Sequence, residues 1–304
     1  MTWKVLVTGG AGFIGSHLVD ALLGRGYTVT CIDNESANEN EKFYWNPGAK
    51  NIKADIRDTA TWDLYQGIDV VFHLAARSRI QPTVNSPSEC FSVNVIGTQS
   101  VLEASRLAGV KRFIYSASSS YYGHASRPPF VESAPMGCAT PYSLSKWQGE
   151  ELCAFYTKLY GLSTVSLRYF NVYGPREPIK GQYAPVMGLF LRQRDEGVPM
   201  TIVGDGEQRR DFTHISDVVE ANLQAMWAGL RDPKRIVGPI NIGTGRNYSI
   251  NQLADMIGGE RVHLPERIGE TRNTLANCQL ANQLLCWEAT VKLEDYITKR
   301  VGTR

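Results

Sequence analysis

The 304-residue chain lacks several features that mark membrane, secreted and nucleic-acid-binding proteins. No apolar run approaches the roughly 18 residues that a membrane-spanning helix needs. The first ten residues, MTWKVLVTGG, carry no basic stretch ahead of a long apolar one, so no secretory signal is expected. Six cysteines, at 31, 90, 138, 153, 278 and 286, form no Cys-x-x-Cys pair. That argues against a structural metal or a disulfide framework and for reduced thiols in a cytoplasmic protein. Neither sign of charge dominates: 32 Lys and Arg against 30 Asp and Glu leave a net charge of +2. Neither nucleic acid nor an anionic membrane is therefore expected as a partner. Internal repeats and low-complexity tails are missing too, which excludes a solenoid.

What the chain has is alternation. Short apolar runs at 4–8, 28–32, 51–53, 70–73, 112–115 and 164–168 read as strands. Helical patterns fall between them, notably at 14–23, about 92–108 and 142–160. Continuous apolar strands separated by helices predict an α/β fold with a doubly wound parallel sheet covered on both faces. After Gly174 prolines and glycines recur, and a short strand is expected at 200–203. The run at 239–242 is expected to return to the main sheet. The expected division is a Rossmann-type domain over 1–171, with about 212–242 returning to it, and a smaller lobe from 172–211 and 243–304.

Residues 8–15 read TGGAGFIG. Gly10, Gly12 and Gly15 fit Gly-x-Gly-x-x-Gly, while Gly9, Gly12 and Gly15 fit Gly-x-x-Gly-x-x-Gly. Glycine permits the tight turn and the close approach of a pyrophosphate, and the helix that follows offers N–H groups and the positive end of its dipole. Asp33 closes the second predicted strand, where an acid accepts hydrogen bonds from ribose hydroxyls and repels a 2′-phosphate. Asn34 and Glu35 follow, with no Arg, which favours NAD over NADP.

Together with DIRD at 55–58, HLAA at 73–76 and NVIGT at 94–98, this loop resembles the extended short-chain dehydrogenase/reductase family, in its branch acting on nucleotide sugars. The resemblance runs from Val5 to about Trp287. It implies that Gly9, Gly12, Phe13, Ile14, Gly15, Asp33, Asn34, Asp55, Ile56, Leu74, Ala75, Ala76, Asn94, Ser116 and Tyr169 hold NAD, with Asp55 on the adenine.

Tyr142 and Lys146 stand four residues apart in a predicted helix and so share a face. A phenol ionises near pH ~10 in water. A nearby ammonium and the positive nicotinamide ring both favour the phenolate, so a Tyr placed there becomes a credible base. The pair resembles the family's Tyr-x-x-x-Lys.

Residues 115–123 read YSASSSYYG. Here Ser118 matches the family's catalytic Ser/Thr. In the family's 4,6-dehydratases the next two positions carry Asp and Glu, which handle elimination of water, and its decarboxylases usually carry a Glu. Ser119 and Ser120 stand there in this chain, as in the family's UDP-sugar 4-epimerases. Tyr121 replaces a common Val, as filler or as a wall of the sugar pocket.

LRYFNVYGP at 167–175 and GDGEQRRDFTHISD at 204–217 also resemble the family. They imply that Asn171 and Arg210 grip the substrate diphosphate, that Tyr169 and Phe170 pack near the nicotinamide, and that His214 and Asp217 are structural. Arg209 is outside the motif. RIGE at 267–270 implies a second phosphate arginine, Arg267. The resemblance thus implies an NAD-dependent 4-epimerase of a nucleotide sugar, acting as a homodimer, with Ser118, Tyr142 and Lys146 catalytic and Ser118, Ser119, Tyr142, Asn171, Arg210 and Arg267 on the substrate. UDP-glucose/UDP-galactose or their N-acetyl forms are the expected substrates. The alternatives are another oxidoreductase, dehydratase or decarboxylase on the same scaffold, or a non-catalytic NAD-binding protein.

Overall fold

A computed structural model describes residues 2–37, 42–179, 184–228, 238–266 and 271–302. Six strands alternate with helices along the first part of the chain: β1 (Lys4–Thr8), β2 (Thr28–Asp33), β3 (Lys50–Lys53), β4 (Val70–His73), β5 (Arg112–Ser118) and β6 (Thr164–Tyr169). The strand Pro239–Ile242 joins them at one edge, giving the order Pro239–Ile242, β6, β5, β4, β1, β2, β3. Every pairing is parallel. The expected doubly wound sheet is present, including the returning strand.

Strand side chains alternate between faces. In β1, Val5 and Val7 enter a core with Leu18 and Leu22 of the helix Phe13–Gly24 and Val218 and Met226 of the helix Ile215–Trp227. Leu6 enters the opposite core, with Val101 of the helix Gly97–Leu107 and Cys153 and Tyr156 of the helix Pro141–Tyr160. Covering on both faces is what makes each strand read as a continuous apolar run. A further cluster gathers Tyr173, Phe190, Ile202, Phe212, Leu253 and Ile297 in the C-terminal part of the chain.

The expected helix at 92–108 is two pieces. A single π turn spans Ser92–Ile96 before the α-helix Gly97–Leu107 begins. The Thr98 hydroxyl donates to the Asn94 carbonyl at 2.6 Å, a local bond that competes with regular helical pairing. The Pro141–Tyr160 helix, by contrast, has well-defined ends. Thr140 and Ser143 form a capping box, Pro141 occupies the first turn, and Gly161 closes it at φ +75°.

All six cysteines are unpaired. Among the described residues, no helix is long and apolar enough to cross a membrane, and no group of three or more His, Cys, Asp or Glu is placed to hold a metal ion.

Asp211, fully buried, fastens the turn after the edge strand to the chain near Ala276. Its carboxylate accepts from Thr244 N (2.8 Å), Thr244 Oγ1 (2.7 Å), Gly245 N (3.0 Å) and Ala276 N (3.1 Å). Replacing Asp211 by Ala orphans these donors at once. The expected result is a loss of about 3 kcal/mol of stability, read from the midpoint of chemical denaturation.

Candidate active site

The strand order reverses between β1 and β4, and a cleft of about 550 Å³ opens at the carboxyl ends of the strands there. This is where open α/β sheets bind ligands. Gly9, at φ +69°, turns the chain at the end of β1, and a Cβ on it would lie 2.7 Å from Ala75 N. A Cβ on Gly15 would lie 2.1 Å from the Gly9 carbonyl oxygen. Gly9, Gly12 and Gly15 line the cleft with Phe13 and Ile14, whereas Gly10 packs on Cys31. Of the two glycine spacings, the second is the one whose three members all line the cleft. The helix that follows has no side-chain cap and no acid in its first turn, so nothing there repels an anion.

Asp33 lies at the tip of β2. One of its oxygens accepts from Ala11 N (3.1 Å) and the other from Glu35 N (2.7 Å). Burial pushes this carboxyl up, and its backbone donors oppose that. Asp55 is held near 2 by Arg57, and Asn34 Nδ2 donates to it at 3.0 Å. Ile56, Leu74, Ala75 and Ala76 complete this end of the cleft.

At the other end stand the hydroxyls. Ser118 Oγ accepts from Ser120 N (3.2 Å) and from Ser120 Oγ (2.9 Å). Both of its lone pairs are then used, which turns its proton away from Ser120, and its polarity is felt at the neighbouring Tyr142 phenol. That polarity favours a phenolate. Enclosure nonetheless pushes the phenol above its ordinary value, opposed by Ser118 and by the charge of Arg79. The expected pull from Lys146 is not what lowers it. The Lys146 ammonium lies 4.7 Å from the centre of the Tyr115 ring, and burial brings it down to about 8. Beneath it, His73 accepts from Thr8 Oγ1 at Nδ1 (2.7 Å) and donates from Nε2 to Thr98 Oγ1 (2.9 Å), since the Thr98 proton is already given to Asn94. Burial keeps His73 neutral, down to about 3.

Ser116 donates to Tyr169 Oη (3.1 Å), which donates to Asn222 Oδ1 (2.9 Å). Ser119, Asn171 and Arg210 also line the cleft. Asn171 Nδ2 is buried without a hydrogen-bond partner, a donor suited to an oxygen-rich ligand. Arg209, next along a two-residue strand, points the other way and donates to Asn247 Oδ1 (2.9 Å).

Three of the positions considered lie off the cleft lining. Asn94 does not line the cleft: its amide is engaged by Arg77 N (2.7 Å), Arg77 O (3.0 Å) and Ser145 Oγ (2.9 Å), so it clamps the adjoining loop. Phe170 is fully buried against Tyr122 and Ala276. Tyr121 is no wall of the cleft, because its ring lies under the Arg168 guanidinium. Arg267 falls outside the described residues. His214 caps a helix and Asp217 accepts from Val291 N (3.0 Å), both structural roles. Arg79 and Gln81, which line the cleft, were not anticipated.

The sequence pattern that defines the NAD dependent epimerase/dehydratase family matches residues 5–243. The chain belongs to this family. A putative UDP-glucose 4-epimerase of Methanocaldococcus jannaschii is 36% identical over 308 residues, covering 98% of this chain and 97% of that protein. A UDP-N-acetyl-alpha-D-glucosaminuronate decarboxylase of Bacillus cytotoxicus is 37% identical over 281 residues, covering 87% and 84%. A crystal structure of UDP-glucose 4-epimerase with UDP-glucose from Thermotoga maritima superposes with a TM-score of 0.90 at 35% identity, covering 98% of this chain and 97% of that one. The fold is that of the extended short-chain dehydrogenases, and the cofactor is NAD.

The glycine turn keeps this shape because a Cβ at Gly9 would meet the Ala75 backbone and one at Gly15 the Gly9 carbonyl oxygen. Gly15→Ala is expected to displace the turn. NAD released per chain on denaturation should then fall to a small fraction of the wild-type amount.

Proposed function

We propose that this member of the family is a nucleotide-sugar 4-epimerase that interconverts UDP-glucose and UDP-galactose, or their N-acetyl forms, through a transient 4-keto sugar. The observation that carries the reading is the serine loop. Ser118 lines the cleft beside Tyr142 and favours its ionised form, and Ser119 and Ser120 line the cleft where elimination would need carboxylates. Tyr142, as phenolate, takes the proton of the sugar 4-hydroxyl, and Ser118 stabilises the phenolate by its hydrogen bond. NAD, when bound, would supply the acceptor for the hydride at C4 and the source of its return. Lys146 orients the cofactor ribose. Asn171 and Arg210, with Arg267, anchor the diphosphate while the hexose turns over and presents its other face. No net redox change results, because the proton and hydride that leave are both returned.

On this reading, 1–171 with about 212–242 holds the cofactor, and 172–211 with 243–304 holds the sugar. The NAD contacts are those at Gly9, Gly12, Phe13, Ile14, Gly15, Asp33, Asn34, Asp55, Ile56, Leu74, Ala75, Ala76, Ser116, Tyr142, Lys146 and Tyr169. The unpaired thiols accord with a cytoplasmic location.

The test is to follow UDP-glucose by NMR with purified protein. UDP-galactose should appear without added reductant, and Tyr142→Phe should cut the rate about 10³-fold while retaining NAD. A stable keto sugar, a pentose product or a requirement for NADPH would contradict the reading.

We also propose a homodimer through the paired helices Gly97–Leu107 and Pro141–Tyr160. Exposed apolar side chains gather on that face: Leu107 (55%), Phe155 (49%) and Leu159 (58%), with Ile96 (59%) at the preceding turn. Leu159→Glu is expected to give a monomer by light scattering, whereas wild type should have twice the mass of one chain.

A further inference from the structure

Tyr142, Lys146 and Glu150 recur every four residues on one helix and share a face. The first two line the cleft; the third does not, and the chemistry above leaves it unused. Glu150 is buried against Arg168 of β6, also buried. Arg168 donates through Nε to Oε1 (2.9 Å) and through a terminal nitrogen to Oε2 (2.7 Å). Burial pushes the Glu150 carboxyl up, and the Arg168 fork opposes it; the two-pronged geometry is that of an ionised pair.

The rest of Arg168 reaches two further segments and, through Tyr122, a third. Its other terminal nitrogen donates to Tyr122 Oη (3.0 Å) and to the Glu132 carbonyl (3.3 Å). Its flat face covers the Tyr121 ring, 3.5 Å from the ring centre. Tyr122 Oη in turn donates to Asn241 Oδ1 on the edge strand (2.6 Å). One ion pair therefore joins the helix of Tyr142 and Lys146, the strand leading to Asn171, and the loop of Ser118. A buried pair contributes little net stability over an apolar pair of similar volume, so stability alone does not account for it.

We propose that Glu150 and Arg168, with Tyr121 stacked on the guanidinium, are positioning residues: they hold the Ser118 loop in register with the helix that carries Tyr142 and Lys146. This rests on the epimerase reading. Glu150 has a second effect, through charge. The groups facing Lys146 are the Tyr115 ring from β5, His73 from β4, Cys90 from the helix Pro87–Phe91, and Cys153 and Glu150 from its own helix. His73 is held neutral and both thiols are pushed up by burial. Glu150 supplies the negative charge that opposes loss of the Lys146 proton.

The sign follows. Lys146 acts as an ammonium, so activity is lost as pH rises through its value. Glu150→Gln keeps the shape, removes the charge and lowers that value. The alkaline limb of kcat/KM for UDP-glucose should therefore move about one pH unit lower. Tyr121→Ala should cut kcat on the order of 10- to 100-fold with little change in KM, and Tyr121→Phe, which keeps the ring, should recover most of that loss. Should Glu150→Gln not fold, the Tyr121 pair decides. A Glu150→Gln profile that overlays wild type, or full kcat in Tyr121→Ala, would overturn the proposal. Wild-type protein that turns over no UDP-hexose would instead bring down the reading on which it rests.

Discussion

The meeting of Ser118 and Tyr142 at the cleft brings the end of a strand to the first turn of a helix, and the surrounding structure keeps those two ends in register. The helix lies directly on β5 because Gly149 has no side chain; a Cβ there would stand 2.1 Å from Tyr115 Oη. Its start is fixed by the Thr140–Ser143 capping box, which leaves Tyr142 in the first turn facing the cleft. The Ser118 side is fixed by Ser120, which uses both lone pairs and leaves one direction for the proton. Directionality thus comes from a short run of serines and from backbone contact, with no carboxylate in the loop.

The cleft is also divided by charge. Asp33 and Asp55 sit at the end where an adenosine is bound on the proposed reading, Asp33 held by the Ala11 and Glu35 amides and Asp55 by Arg57. Lys146, Arg79 and Arg210 line the rest, where diphosphates and a reacting hydroxyl would be placed. The division follows from topology: the β2 and β3 ends supply the acids, while the helix after β5 and the C-terminal part supply Lys146 and Arg210.

The sheet was legible because its strands are buried on both faces and read as apolar runs, and the glycine turn because a tight turn and a close approach leave few choices of residue. The cleft-lining positions were legible where a local motif carries them, as at Tyr142 and Lys146. What was not legible depends on contacts between distant segments. Asn94 belongs to a recognisable motif, yet its amide is taken by the Arg77 peptide, which the motif does not contain. Tyr121 could not be assigned without knowing that Arg168, on the next strand and beyond a long helix, lays its guanidinium on the ring. Glu150 repeats the spacing of Tyr142 and Lys146, and that periodicity was the available signal for it.

The central claim is that the sugar is oxidised at C4 and that the same hydride comes back. UDP-hexose carrying deuterium at C4 tests it directly. The account predicts epimerised product with the label still at C4, even in ordinary water, and a slower reaction than with the unlabelled sugar. Epimerised product that has lost the label to solvent would contradict it.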